Sequence, residues 1–227
     1  MVTKAKFGRF ISETSKMVGP FPILICFLVL QISFVFGVVE RTFAEPVDLE
    51  IGNQRKSGQF SFPGNQMSPT ILNGASFVVD FTHYNDRAPQ RGDMVLIRSA
   101  SDDTQAYVRR IIALPLERLD AQDDTFIVTG RRIPKRQIDR NICETLIRKS
   151  GLFERKSHIV CYEENLDEAR YFIFGSRYSD PDRFRPISLN KNEFYTEADN
   201  RSFGSDPLVS NVVHRNRILG KVVKINK

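Results

Sequence analysis

Tyr107-Val108-Arg109-Arg110-Ile111-Ile112-Ala113-Leu114-Pro115 is the stretch on which the fold turns. Tyr, Val and Ile favour extended chain, so the run reads as a β-strand ending at a Leu-Pro turn. Runs of the same kind recur at 77–81, 94–98, 125–129, 159–162, 171–174, 193–196 and 218–225. Asn73-Gly74, Arg91-Gly92-Asp93 and Thr129-Gly130 supply turn chemistry between them. No helical stripe of comparable strength appears after residue 39, and there is no internal repeat. This part of the chain therefore reads as mainly β. The polar stretch from Asp180-Pro181-Asp182 to Asn192 is a long loop. It sets off a smaller lobe, about 133–192, from a main sheet rejoined near Glu193.

Upstream the pattern changes. Residues 17–39 form a run of 23 without a charge. As a helix it spans ~34 Å, enough to cross a ~30 Å hydrocarbon core. Lys4, Lys6, Arg9 and Lys16 precede it, and Glu40, Glu45, Asp48 and Glu50 follow with Arg41. The positive-inside bias places residues 1–16 in the cytoplasm. The run is a transmembrane anchor at 17–39, residues 40–59 are a linker, and 60–227 are an extracytoplasmic domain. The other reading is a cleaved signal peptide ending near Thr42-Phe43-Ala44, although the run exceeds the usual 7–15-residue signal core.

The 227 residues suffice for one anchor and one such domain. The formal net charge is +6, spread along the chain and densest at Arg131-Arg132-Ile133-Pro134-Lys135-Arg136. That run reads as a solvated loop beyond the Thr129-Gly130 turn. No zinc-finger spacing and no aromatic-basic RNA motif accompanies it, which argues against a nucleic-acid partner. No metal-ligand cluster or phosphate-binding Gly loop is present, so no metal or other cofactor is expected. Cys143 and Cys161, with 17 residues between them, are either a disulfide formed outside the cytoplasm or two thiols.

Four segments carry a resemblance. Pro63-Gly64-Asn65-Gln66-Met67-Ser68-Pro69-Thr70-Ile71 is similar to the nucleophile segment of type I signal peptidases, in which a Ser directly precedes Met-x-Pro-Thr. Arg91-Gly92-Asp93-Met94-Val95 resembles the family's Arg-Gly-Asp box. Tyr107 to Pro115 resembles the strand that carries the general base, a Lys followed by Arg. Asp199-Asn200-Arg201, with Asp206 after it, resembles the Gly-Asp-Asn-Arg box. Each is weak alone; together, in family order behind an anchor, they are specific. The resemblance covers roughly residues 60 to 225. It implies a mainly β, signal-peptidase-like antiparallel sheet domain with an inserted smaller β lobe, behind one transmembrane helix.

The same resemblance puts Gln66 at the nucleophile position and Arg109 at the base position. An amide cannot form an acyl-enzyme, and a guanidinium with pKa above ~12 cannot accept a proton near neutral pH. Loss of a catalytic member of such a unit lowers the rate on the order of 10⁶-fold, ~8 kcal/mol of barrier. Further departures are Ala198, Gly204 and Leu208 in and after the last box, and Ala113 and Leu116-Glu117 around the Leu-Pro turn. Met67, Pro69 and Tyr107 are expected to line the substrate cleft, and Arg110, Asp199, Asn200, Arg201 and Asp206 to support it. Arg109 either pairs with an acid, for which Asp206 and Asp199 are the candidates, or reaches solvent.

The expected function is a non-catalytic, signal-peptidase-like protein at the outer face of the plasma membrane. Its partners would be the bilayer and preprotein signal segments, or secretion, conjugation or pilus-type machinery. The alternative is an active signal peptidase with an unorthodox nucleophile, Ser68, for which His83 is the nearest base in sequence. A third reading is a folded scaffold with no retained ligand.

Overall fold

The computed structural model describes residues 56–176, 184–203 and 211–226. The expected anchor at 17–39 lies outside them, as does Asp206. Among the described residues no helix is long and apolar enough to cross a membrane.

The main sheet has seven strands, all antiparallel. Its order is β1 (Ser57–Ser61), β2 (Ser76–Asp80), β14 (Ile218–Asn226), β3 (Met94–Arg98), β4 (Ala106–Ala113), β12 (Glu193–Glu197) and β13 (Val212–His214). The last described strand therefore lies between β2 and β3, which closes the sheet around its earliest elements. β4 is the strand read first from the sequence. It is central, and from Val108 to its end every residue is buried. Side chains alternate across a strand. Val108, with Leu96 of β3, packs on one side with Met67, Ile71 and Phe77. On the other side Ile111, Val95 and Ile97 pack with Tyr84, Phe194 and Ile218.

Two smaller sheets follow from the middle of the chain. One has the order β11 (Ile187–Ser188), β5 (Arg118–Gln122), β6 (Thr125–Val128) and β7 (Arg131–Arg132). The other has the order β10 (Ala169–Ser176), β9 (Ile159–Leu166) and β8 (Lys135–Gln137). Leu119 and Phe126 from the first, Leu166 and Tyr171 from the second, and Ile112 and Tyr195 of the main sheet share one core cluster.

Two expectations need correction. Thr129 and Gly130 do form a tight turn, with φ of 48° and 78°. The paired left-handed residues match a two-residue hairpin, and Val128 faces Arg131 across it. The basic run beyond is thus not a loop: it supplies β7 and part of β8, with most of its charged side chains exposed. Among the described residues there is also one α-helix, α1 (Arg140–Lys149). Its apolar stripe is short and only Ile147 is buried. Local devices hold it. The Asp139 carboxylate accepts from Asn141 N at 2.8 Å, and Arg148 and Lys149 complement the C-terminal end of the helix dipole. A disulfide joins Cys143 to Cys161 of β9, which decides between the two states left open by the sequence.

Candidate functional site

The loop between β1 and β2 carries Gln66, and its own polar groups shape it. Gly64 N donates to Asn73 Oδ1 at 2.8 Å, and Ser68 N and Oγ both donate to Asn65 oxygens, at 3.2 Å each. Met67 and Ile71 plug the loop into the core with no exposed surface. Pro69 follows a cis peptide bond.

The Asp199-Asn200-Arg201 segment clamps this loop from the other side. Asn200 N donates to Gln66 O at 3.0 Å, and Asn200 Nδ2 to Asn65 O at 2.8 Å. The Thr70 hydroxyl donates to the Asp199 carboxylate. That carboxylate also takes both Nε and Nη2 of Arg110, at 2.8 and 2.7 Å, in a fork-to-fork pair. The third nitrogen of the guanidinium, Nη1, donates to Gly92 O at 2.8 Å. Asp199 also meets β10, where Phe174 N donates to Asp199 O at 2.9 Å.

The polar chain continues inward. The Arg110 guanidinium lies 3.7 Å from the centroid of the Tyr171 ring. Tyr171 donates its phenol to Glu164 Oε2 at 2.5 Å, and Arg201 grips both oxygens of Glu164 at 2.9 and 2.6 Å. Burial opposes the Glu164 charge, but Arg201 and the Tyr171 hydroxyl outweigh it and hold the carboxyl below its ordinary range. Burial and the same carboxylate push the Tyr171 phenol well up. Buried charges of this kind are tolerated because each is paired and hydrogen-bonded.

The Arg-Gly-Asp box is equally structural. Arg91 donates to Ile112 O and Glu117, both at 2.6 Å, and to Asp167 at 3.0 Å. Asp93 accepts from Tyr84 and from Gln90 N, both at 2.9 Å, and pairs with Lys221 at 2.7 Å. Gly92 has φ of 87°, and a Cβ there would sit 2.4 Å from that of Ala169.

The structure thus gathers Arg110, Asp199, Asn200 and Arg201 with the Gln66 loop. It does not bring Arg109 to Asp199, one of the two acids considered for it, because alternation along β4 turns Arg109 away from Arg110. Arg109 is 5% exposed. Its guanidinium donates to Val108 O at 3.0 Å and lies 5.2 Å from the Tyr107 ring centroid. Burial pushes the half-buried Tyr107 phenol up, with the Arg109 charge opposing. Met67, expected to line a cleft, is a core side chain. Tyr171 and Glu164 were missed, since nothing in their local sequence marks them as members of a network; Thr70 stands in the Met-x-Pro-Thr segment, but its bond to Asp199 was not foreseen.

Gln66 itself curls back. Its Oε1 lies 2.6 Å from where a Cβ on Gly64 would stand, and Gly64 has φ of 102°. This oxygen is buried and has no hydrogen-bond partner among the described residues. Ser68 is also wholly buried, its hydroxyl turned to Asn65 and Ile71 O. His83 is held 3.7 Å from Asp80.

A family model described as signal peptidase, peptidase S26, matches residues 51–225. The chain belongs to the signal peptidase S26 family. Among its relatives, signal peptidase I of Rickettsia conorii is 27% identical over 135 residues, covering 55% of this chain and 46% of the relative. Signal peptidase IB of Staphylococcus aureus is 22% identical over 165 residues, covering 72% and 74%. The chain spans about half the length of the rickettsial signal peptidases it matches. A crystal structure of a signal peptidase I from Enterococcus faecalis matches with a TM-score of 0.34 and 16% identity, over 60% of this chain and 98% of that one.

Proposed function

We propose that this chain is a non-catalytic signal peptidase homologue, anchored in the membrane by residues 17–39, that holds an extended segment of an exported precursor at the outer face. Secretion, conjugation or pilus-type machinery would be the setting. The observation that carries the reading is Gln66. Its loop is built and clamped, yet it presents a carboxamide where hydrolysis needs a hydroxyl.

Three features support this. The Gln66 side chain fills the space over Gly64, beside the nucleophile position, where a reacting carbonyl oxygen would need donors. Arg109 carries a charge that cannot be shed, so it offers no general base. Ser68, the alternative nucleophile, is sealed in the core and faces acceptors, with no base beside it among the described contacts.

Binding does not need the dyad. β12 pairs with β4 over 110–113, and Ala106 to Val108 run on beyond the end of β12. An extended peptide joins such an edge through its backbone.

The test is cleavage of a preprotein by the purified full chain in detergent, with mass spectrometry of products and an active signal peptidase as control. No product is expected from the wild type, while the preprotein is retained on immobilised protein. A cut after a small-x-small site that vanishes in Ser68→Ala would overturn the reading.

A further inference from the structure

The chain carries a net charge of +6, and residues 131–158 account for all of it: nine Lys and Arg stand there against Asp139, Glu144 and Glu154. Every one of the nine except Lys135 is exposed. The net charge of the sequence thus falls on β7, β8, α1 and the 3₁₀ turn Phe153–His158; Arg132, Arg136 and Arg140 of this set pair with Asp123, Glu163 and Glu144, so the charge is densest on α1 and the 3₁₀ turn.

This segment is fixed in place. Ile138, Ile147 and Leu152 pack with Ile159, Cys161 and Phe174, and the Cys143–Cys161 bond ties α1 to β9. It is also apolar where it should not be. Of the four large hydrophobic side chains exposed among the described residues, two are here: Ile142 at 50% and Phe153 at 40%. The Phe153 ring has the Lys156 ammonium 4.2 Å and the Arg148 guanidinium 5.3 Å from its centroid.

We infer that residues 131–158 form a docking face for an anionic phospholipid surface. Cations hold to lipid phosphates across the headgroup layer, while an aromatic and an aliphatic side chain enter its edge. The inference rests on the membrane-anchored reading, which tethers the domain to a bilayer. It assigns the lobe a task separate from the Gln66 loop: to set the domain's orientation on the membrane.

The chain contains no Trp, so Phe153→Trp gives a single fluorescent reporter. The full chain with this change would be placed in nanodiscs of phosphatidylcholine, or of phosphatidylcholine with a third replaced by phosphatidylglycerol. Brominated lipids would serve as quenchers. The expected result is a blue shift and quenching in the anionic discs. Both should disappear at high salt, where the screening length falls to about 3 Å. They should also disappear when Arg148, Lys149, Arg155 and Lys156 are all changed to Glu, or to Gln if the Glu form loses its β circular dichroism. Absence of the response in anionic discs, or an equal response in neutral discs, overturns the inference while leaving the anchor intact. A chain that fails to enter either disc overturns the anchor itself. Anionic vesicles added to that soluble chain would then judge the basic face alone, by the same reporter.

Discussion

Arg110 and Asp199, 89 residues apart, meet in a two-bond pair at 2.8 and 2.7 Å, with side chains 6% and 1% exposed. The pair fastens the main sheet to the segment that clamps the Gln66 loop. Removing one partner strands a buried charge, so Arg110→Ala or Asp199→Ala should each lower stability by about 3–5 kcal/mol. Urea unfolding followed by circular dichroism measures this. The double variant should lose much less than the sum of the two. Additive losses would mean that the pair is not the unit described.

Acid should loosen the second half of the same network. The Glu164 carboxyl is held below its ordinary value of 4.5 by Arg201 and Tyr171, against burial. A carboxylate whose folded pKa is lowered stabilises fully above its unfolded value and loses that contribution as pH falls through the folded one. Stability should therefore be level from neutrality to about pH 5 and fall below the mid-4 range. Glu164→Gln should flatten the acid limb while reducing stability at neutral pH. An unchanged acid limb would assign it to other carboxylates.

The Cys143–Cys161 bond closes a separation of 18 residues. Loop-closure entropy for that length corresponds to about 3 kcal/mol. Cys143→Ser with Cys161→Ser, or reduction of the wild type, should lower stability by that order in urea titrations. Because Ile147, Leu152 and Phe174 share the same cluster, hydrogen exchange should quicken first in α1. Uniform quickening across β4 would contradict a local role.

Leu116 holds φ of 68° and is 77% exposed. A non-Gly residue in the left-handed region is strained by about 1–2 kcal/mol, and this side chain offsets none of it by packing. Leu116→Gly should raise the melting temperature, for a gain of about 1 kcal/mol after the entropy of Gly is counted. A lower melting temperature would show that the side chain makes contacts with a function.

The sequence was most legible where side chains are of one kind. Strands such as β3 and β4 are dense in Val and Ile, and their bounds agree with the expectation to within a residue. β1, β5 and β13 are polar or short, and their pairing depends on neighbours far along the chain. α1 depends on a cap and a covalent bond rather than on a long stripe. At the site, the four boxes foretold which residues cluster but not who pairs with whom. Asp199 was one of two acids considered for Arg109 and belongs to Arg110, because a one-residue step along a strand reverses the face. Glu117 looked like damage to a turn. Its carboxylate instead takes Arg91 and Leu114 N at 2.6 Å each, a task that tolerates the longer side chain.

Asn200 grips the carbonyl oxygens of Asn65 and Gln66 and touches neither side chain in doing so. Folding and reactivity at position 66 are consequently uncoupled. The clamp on this loop is made through backbone oxygens, so its hydrogen bonds do not specify the residue type at position 66.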